Sequence, residues 1–442
     1  MLEALKTVHW EELSHAYGEA NDIPELLLAL TSGEQIKRES AIETLFTNIY
    51  HQGTVYQASA YAAPFLVELL THEKVHGKED LLFLLAHLAR GDGYHHQHLD
   101  LSSEEEIQSP QFQKEMAEQL FWVRKTHEAV SEGKDIYIAL LEHPDICVKM
   151  GAAYLLAHLQ EYAPQTIPLL YALFKSEGDE RVKANLIFSL AALDLQSERG
   201  YQFVKELATG ADNPLLQFAA ALVTVKSGRN DIPHKVIDLL IQVAMHKIEV
   251  GEAYGWIPWG QWKANYTAVW ALQWLSPQPA RYTINQLITA LHTYLTGVAK
   301  ETGIDIWQYR SSKDFLAVIV DKATRTEGGN DDSGRHMNVD LNLAQYAREV
   351  PTTVAETIKV AFHLAFRNEK LKDGTCLQDL SLEQQLVLKT LVDCGLAWRC
   401  TGGRRDSMTG EWVDTIRCAA DLHHVGLPST QEGLRALLQQ MW

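Results

Sequence analysis

Asp145-Ile-Cys-Val-Lys-Met-Gly-Ala-Ala153, Asp179-Glu-Arg-Val-Lys-Ala-Asn-Leu-Ile187 and Asn213-Pro-Leu-Leu-Gln-Phe-Ala-Ala-Ala221 carry one pattern at a fixed interval. The leading residues stand 34 positions apart each time (179 − 145 = 213 − 179 = 34). Each stretch opens on a short side chain able to cap free backbone N–H groups, and Val148, Val182 and Leu216 then begin an apolar stripe at helical spacing. A constant period of this size predicts stacked helical hairpins, each burying its stripe only against its neighbours.

Outward from these repeats, Asp22-Ile-Pro-Glu-Leu-Leu-Leu-Ala-Leu30 reads as a first helix, turning at Ser32-Gly33 into a second from Ile36. His51-Gln-Gly53 breaks the chain before an apolar stretch from Val55 to Leu70. Ile23-Pro24, Ala63-Pro64, Ile167-Pro168 and Ile232-Pro233 mark four first helices with a proline, which bends a helix that must curve about a common axis.

This combination of proline in the first helix with Asp-x-x-Val-Lys-x-x-Ala-Ala in the second resembles HEAT repeats, over about residues 20 to 90 and 126 to 245. The stretch from His51 to Leu66, the Ala152-Ala-Tyr-Leu-Leu-Ala157 core and the closing Gly426-Leu-Pro-Ser-Thr-Gln-Glu-Gly-Leu-Arg-Ala-Leu-Leu438 look like a group of bacterial HEAT-repeat proteins (PBS-lyase HEAT-like) of unassigned role. The resemblance implies an α-solenoid, a bacterial cytoplasmic interaction protein and no catalytic residues. It also implies a Tyr and a His at the positions of Tyr94 and His98, whereas His95 and His96 are particular to this chain.

Composition sets the outer bounds. Apolar residues make up 46% and charged ones 22% of the 442 positions, enough for a continuous core. The acidic opening around Glu3, Glu11 and Glu12 lacks the apolar run of a secretory signal, and no later run approaches the ~18 apolar residues of a membrane span. Five cysteines without a C-x-x-C pair fit a reducing, cytoplasmic setting. With 39 basic and 57 acidic side chains the formal charge is −18, so a nucleic-acid partner would require a segregated basic groove that the sequence does not show. The same charge suits a basic protein partner.

The organisation expected is N-terminal hairpins over 1–90, an acidic, His-containing insertion over 91–125, central repeats over 126–250 and a C-terminal helical region over 251–442. Within the insertion, Ser102-Ser-Glu-Glu-Glu106 offers a capping box and Ser109-Pro110 breaks the chain. Farther on, Phe315 to Lys322 reads as helical, Glu327 to Gly334 as a loop, and Ser381 and Ser429 as helix starts.

Several constellations could carry chemistry. His95-His-Gln-His98 offers three imidazoles, yet adjacent histidines in a loop converge poorly on one ion and a fourth ligand is not evident beyond Asp92 and Asp100. Cys394, Cys400, Cys418 and His423-His424 lack the tight knuckles of zinc modules. Trp256, Trp259, Trp262, Trp270 and Trp274 cluster; the last two share a helix face as core, leaving the turn-borne tryptophans for contact. No nucleophile elbow is present, and Gly402-Gly403-Arg-Arg405 reads as a turn rather than a phosphate cradle. No cofactor and no metal are expected.

The sequence therefore points to a non-catalytic scaffold or inhibitor, of an immunity or antitoxin kind, binding a protein through its concave face and insertion. The residues nominated for contact are His51, Tyr94, His95, His96, His98, Trp256, Trp259 and Trp262. The rival class is a helical-repeat enzyme, such as a base-excision glycosylase or a chromophore lyase, which the fold alone permits.

Overall fold

The computed structural model describes residues 2–260 and 263–304, and beyond them chiefly 341–367, 369–371, 379–397, 404–405, 412–413, 424–428 and 431–440. Trp262, Cys400, Cys418, His423, Ser429, almost all of 315–322 and the whole of 327–334 lie outside the described residues. Among the described residues the chain is all-α apart from three two-stranded hairpins. It forms two compact units: Met1–Phe203 with Gly255–Gln261, and Val204–Tyr254 with Trp262–Trp442. The division falls inside a helix, Glu198–Gly210, rather than at the expected change near residue 250.

The first unit is an α-solenoid of successive hairpins. Helices α1 (Ile23–Ala29) and α2 (Gln35–Asn48) pair, as do α3 (Gln57–Leu70) and α4 (Lys78–Ala89). Next come α5 (Tyr94–Gln97), α6 (Glu104–Ile107) and α7 (Pro110–Ser131), and then α8 (Lys134–Leu140) with α9 (Ile146–Leu156) and α10 (Ala163–Ser176) with α11 (Glu180–Asp194). The second helices stack in order, α2 on α4, α4 on α9 and α9 on α11, so each apolar stripe is closed by the next repeat.

The repeat signature does what its chemistry predicts. Asp145 and Asp179 each accept a hydrogen bond from the backbone two residues on, at 2.8 Å, and Asn213 caps two N–H groups, those of Leu215 and Leu216. Val148, Val182, Leu156 and Leu190 are buried in one core with Leu82 and Leu85 of α4. A buried amide, Asn185, donates to the Met150 carbonyl and ties α11 to α9. The prolines divide into two kinds: Pro64 and Pro168 sit inside α3 and α10, whereas Pro24 opens α1 and Pro233 precedes the next first helix as its N-cap, so only two of the four bend a helix from within.

The segment 91–125 is largely helical and packs against the array. Ser103 caps α6 and Ser109 caps α7, with Pro110 at a first-turn position where its missing N–H costs nothing. Helix α7 runs 22 residues and packs on both α3 and α4, with Phe112, Thr126, Val130 and Ser131 buried. The supposed chain break is a helix start.

In the second unit α12 (Glu198–Gly210) is followed by α13 (Pro214–Lys226), α14 (His234–Ala244), α15 (Ala264–Ala271) and α16 (Pro277–Thr302). The long α17 (Leu341–Phe366) packs on α16 and α15, and α18 (Leu382–Asp393) joins α17 to α19 (Gln431–Gln440). Ser381 makes the expected capping box with Gln384. Arg404–Arg405 pairs as a strand with Trp412–Val413 rather than forming a plain turn. No described helix is long and apolar enough to cross a membrane.

Candidate functional site

Two small hairpins, absent from the sequence reading, organise the site in the first unit. Strand β1 (Ser14–His15) pairs with β2 (Gly18–Glu19), and β3 (Tyr50–His51) with β4 (Thr54–Val55). The second turns through Gln52 and Gly53 at φ 50° and 95°, a left-handed pair that glycine makes cheap. Two backbone bonds stitch it to the His-rich segment: Val55 N–H donates to the Asp92 carbonyl at 3.0 Å, and Asp92 N–H to the Gly53 carbonyl at 2.9 Å. The Gln97 side chain lies so close over Gly53 that a Cβ there would meet it at 2.3 Å, and it accepts from the Thr54 hydroxyl.

These bonds place α5 against the first turns of α7. His95 stacks on Phe112 at 4.4 Å and pairs through Nε2 with Glu115 Oε2 at 3.0 Å, while its backbone N–H donates to Gln119 Oε1. His96 pairs with Asp92 at 2.6 Å, and His98 Nδ1 contacts the Tyr94 carbonyl as its ring stacks on Tyr94 at 4.4 Å. The three imidazoles thus face three different partners. Among the described residues no three His, Cys, Asp or Glu side chains converge on a common metal position.

Beside α5 opens a pocket of about 260 Å³. Its floor and one wall are Thr54, Val55, Tyr56 and Gln57, with Gln57 held by accepting from the Ser14 N–H and hydroxyl at 3.1 and 3.2 Å. The opposite wall is Glu115, Glu118, Gln119 and Trp122, at i, i+3, i+4 and i+7 on one face of α7. Tyr94 stands at the rim, half exposed. Trp122 is braced by Tyr61 and by the edge of Phe121.

Electrostatically the pocket is one-sided. Among the described residues no Lys, Arg or His lines it. The hydrogen bond from His95, and then that from Gln111, holds the Glu115 carboxyl below the usual range, so it is ionised. Glu118 forms no ion pair with a described residue. Burial, followed by the nearby phenols of Tyr17 and Tyr94, pushes the Tyr56 phenol above its ordinary value, keeping it neutral.

A larger groove, about 700 Å³, runs along the starts of α2, α4 and α9. Its carboxylates, among them Glu39, Glu79 and Asp80, are interleaved with Arg38, Lys78, His76 and His143. Burial, and then Glu79 and Glu39, raise the Asp80 carboxyl. Arg38 is already spent on the Ser32 carbonyl. That groove is thus lined by side chains of both signs, whereas the described charged residues lining the smaller pocket are carboxylates alone.

Of the contact residues nominated from sequence, the structure therefore brings Tyr94 to the pocket and His95 behind it, with His96 and His98 on the outside of α5. His51 lies nearby, its ring 5.4 Å from Tyr17. Trp256 and Trp259 lie elsewhere. Trp256 is 69% exposed, but Trp259 is packed among Tyr154, His158 and Phe188, with its N–H 3.4 Å from the Ser189 hydroxyl; the turn-rich segment delivers it to the core. Trp274, expected in the core with Trp270, is exposed, while Trp270 donates to Glu356. Tyr56, Glu118, Gln119 and Trp122 were not singled out, although the i, i+3, i+4, i+7 spacing on α7 carried the signal.

No protein-family model matches the chain, and no curated protein sequence matches it. Solved structures are similar at low level. An engineered protein aligns over 84% of this chain and 98% of its own, at 14% identity and a TM-score of 0.31. The karyopherin Kap121p, solved bound to the extreme C-terminus of the phosphatase Cdc14p, aligns over 85% of this chain at 12% identity and a TM-score of 0.30. The chain spans 45% of that karyopherin's length.

Proposed function

We propose that this protein is a non-catalytic interaction scaffold that docks a partner protein on the face bearing the 260 Å³ pocket. The observation that carries the reading is convergence: residues from β1, β4, α3, α5 and α7, more than a hundred positions apart at the extremes, are fixed by backbone bridges around an open, acidic, aromatic-lined hollow. Preformed polar groups held by their own hydrogen bonds lower the ordering cost of association. The formal charge of −18 supports a basic partner, whose approach it would accelerate. Membership of the bacterial HEAT-repeat group, a cytoplasmic setting and an immunity or antitoxin kind of role belong to the same proposal, and are supported by the repeat signature and charge alone.

Photo-crosslinking tests it. A benzophenone amino acid at Tyr94, in the full chain expressed in its native host, should capture a defined protein that a probe at exposed Leu169 does not capture. Glu118→Lys should abolish that capture without changing the melting curve. Equal capture from both positions, or capture indifferent to Glu118→Lys, would refute docking at this face.

A further inference from the structure

The chemistry of the hollow is specific enough to name what enters it. We infer that the pocket between α3, α5 and α7 receives the guanidinium side chain of an arginine presented by a basic segment of a partner protein. The inference rests on the docking reading above and deepens it.

Three features converge. The α7 wall presents Glu115 and Glu118 one turn apart; Glu115 is held by His95 from outside the lining, whereas Glu118 has no ion pair with a described residue, and among the described residues no cation lines the pocket. Lys114, the basic residue nearest in sequence on α7, is not among the lining side chains. An external cation gains Coulomb attraction from both carboxylates, which a neutral group does not and an anionic one meets as repulsion.

The remaining surface is aromatic. Trp122 stands one turn beyond Glu118 on the same helix face, Tyr56 faces it from the start of α3, and Tyr94 closes the rim. A guanidinium stacks on such faces while its edge donates in parallel to carboxylate oxygens; a compact ammonium can satisfy one demand or the other but is more strongly hydrated. Gln57 Oε1 is committed to Ser14, Gln119 Oε1 to the His95 N–H and the two Glu115 oxygens to His95 and Gln111, which leaves the Glu118 carboxylate as the principal open acceptor.

Size and setting fix the source. A volume of about 260 Å³ admits one long side chain but not a helix or strand, so the occupant projects from a chain that remains outside. Tyr94, 52% exposed at the rim, then meets the flanking backbone. Lysine has the same charge and a similar reach, so it is the planar guanidinium, able to stack on the aromatic side chains while donating to a carboxylate, that selects arginine.

The test uses the full-length protein labelled with 5-fluorotryptophan, with the Trp122 fluorine signal assigned from its loss in Trp122→Phe. Acetyl-Gly-Gly-Arg-Gly-Gly-amide is titrated in, alongside analogues with lysine or the neutral isostere citrulline. The arginine peptide should move the Trp122 signal and saturate in the millimolar range, with citrulline about ten-fold weaker or more and lysine weaker by several-fold. Glu118→Gln should weaken arginine binding about ten-fold, and raising salt from about 50 to 500 mM should weaken it several-fold. Citrulline or lysine shifting Trp122 as strongly as arginine would overturn the inference, as would shifts confined to other tryptophans or no shift at about 20 mM peptide. The two readings fail separately. Specific capture at Tyr94 without arginine binding leaves the docking face and removes arginine, whereas arginine binding without a captured partner leaves the pocket and removes the scaffold role.

Discussion

Mild acid should loosen the first unit through two histidines that the fold keeps neutral. His87 of α4 is 8% exposed, its ring lying 4.3 Å from Phe83 and 5.0 Å from Tyr50, with Nδ1 2.8 Å from the Phe83 carbonyl. His158, just beyond α9, is enclosed by Tyr154 and Trp259, and its Nε2 is buried with no hydrogen-bond partner among the described residues. Burial drives both down to about 4, from the ordinary 6.5; Arg90 adds to the depression at both rings, and His87 adds to it at His158. Above pH 6.5 both rings are neutral in the folded and unfolded chain alike and contribute no pH dependence. Between 6.5 and 4 the unfolded chain takes up protons that the folded chain refuses, so stability falls with pH. At about 1.4 kcal/mol per unit, each ring costs about 2.5 kcal/mol by about pH 4.5, and the pair about 5 kcal/mol, against the roughly 5–15 kcal/mol typical of a domain. Urea unfolding followed by circular dichroism between about pH 7 and 4.5 measures the loss, and hydrogen exchange of α4 and α9 localises it. In His87→Phe/His158→Phe most of that loss should vanish, leaving only the part carried by carboxylates. An identical pH slope in the wild type and the double variant would refute the reasoning.

Two further outcomes follow from single side chains. Val182→Asp places a carboxylate at a position of 0% exposure in the core between α9 and α11, and should cost several kcal/mol; an unchanged melting temperature would show that the repeat register is wrong. Gly53→Ala forces a Cβ toward Gln97 in a left-handed turn, and should cost about 1–3 kcal/mol and shift the Trp122 fluorine signal as α5 moves off the hairpin; a silent spectrum would mean that the bridge does not position the pocket.

The array was legible because each repeat writes the same local physics again. Asp145, Asp179 and Asn213 must each cap a helix within three residues, and Val148, Val182 and Leu216 must each be buried, so one short pattern at one spacing suffices to announce both. Helix α7 escaped notice for the converse reason. Its apolar positions are sparse along 22 residues, and Ser109-Pro110 has the composition of a chain break even where it caps and opens a helix. The pocket was less legible still. Its walls come from residues 14, 54–57, 94 and 115–122, and what joins them is a pair of backbone hydrogen bonds between Gly53, Val55 and Asp92, which leave no mark on side-chain identity. Trp259 shows the same limit from the other side, since a turn-rich neighbourhood predicts exposure while Tyr154, Phe188 and Ser189, 70 positions upstream at the nearest, supply its partial burial. In a repeat array, then, periodicity speaks for the frame and is silent where the frame departs from itself, and both departures in the first unit, the β3–β4 bridge with α5–α7 and the returning segment 255–261, hold the side chains the period could not place.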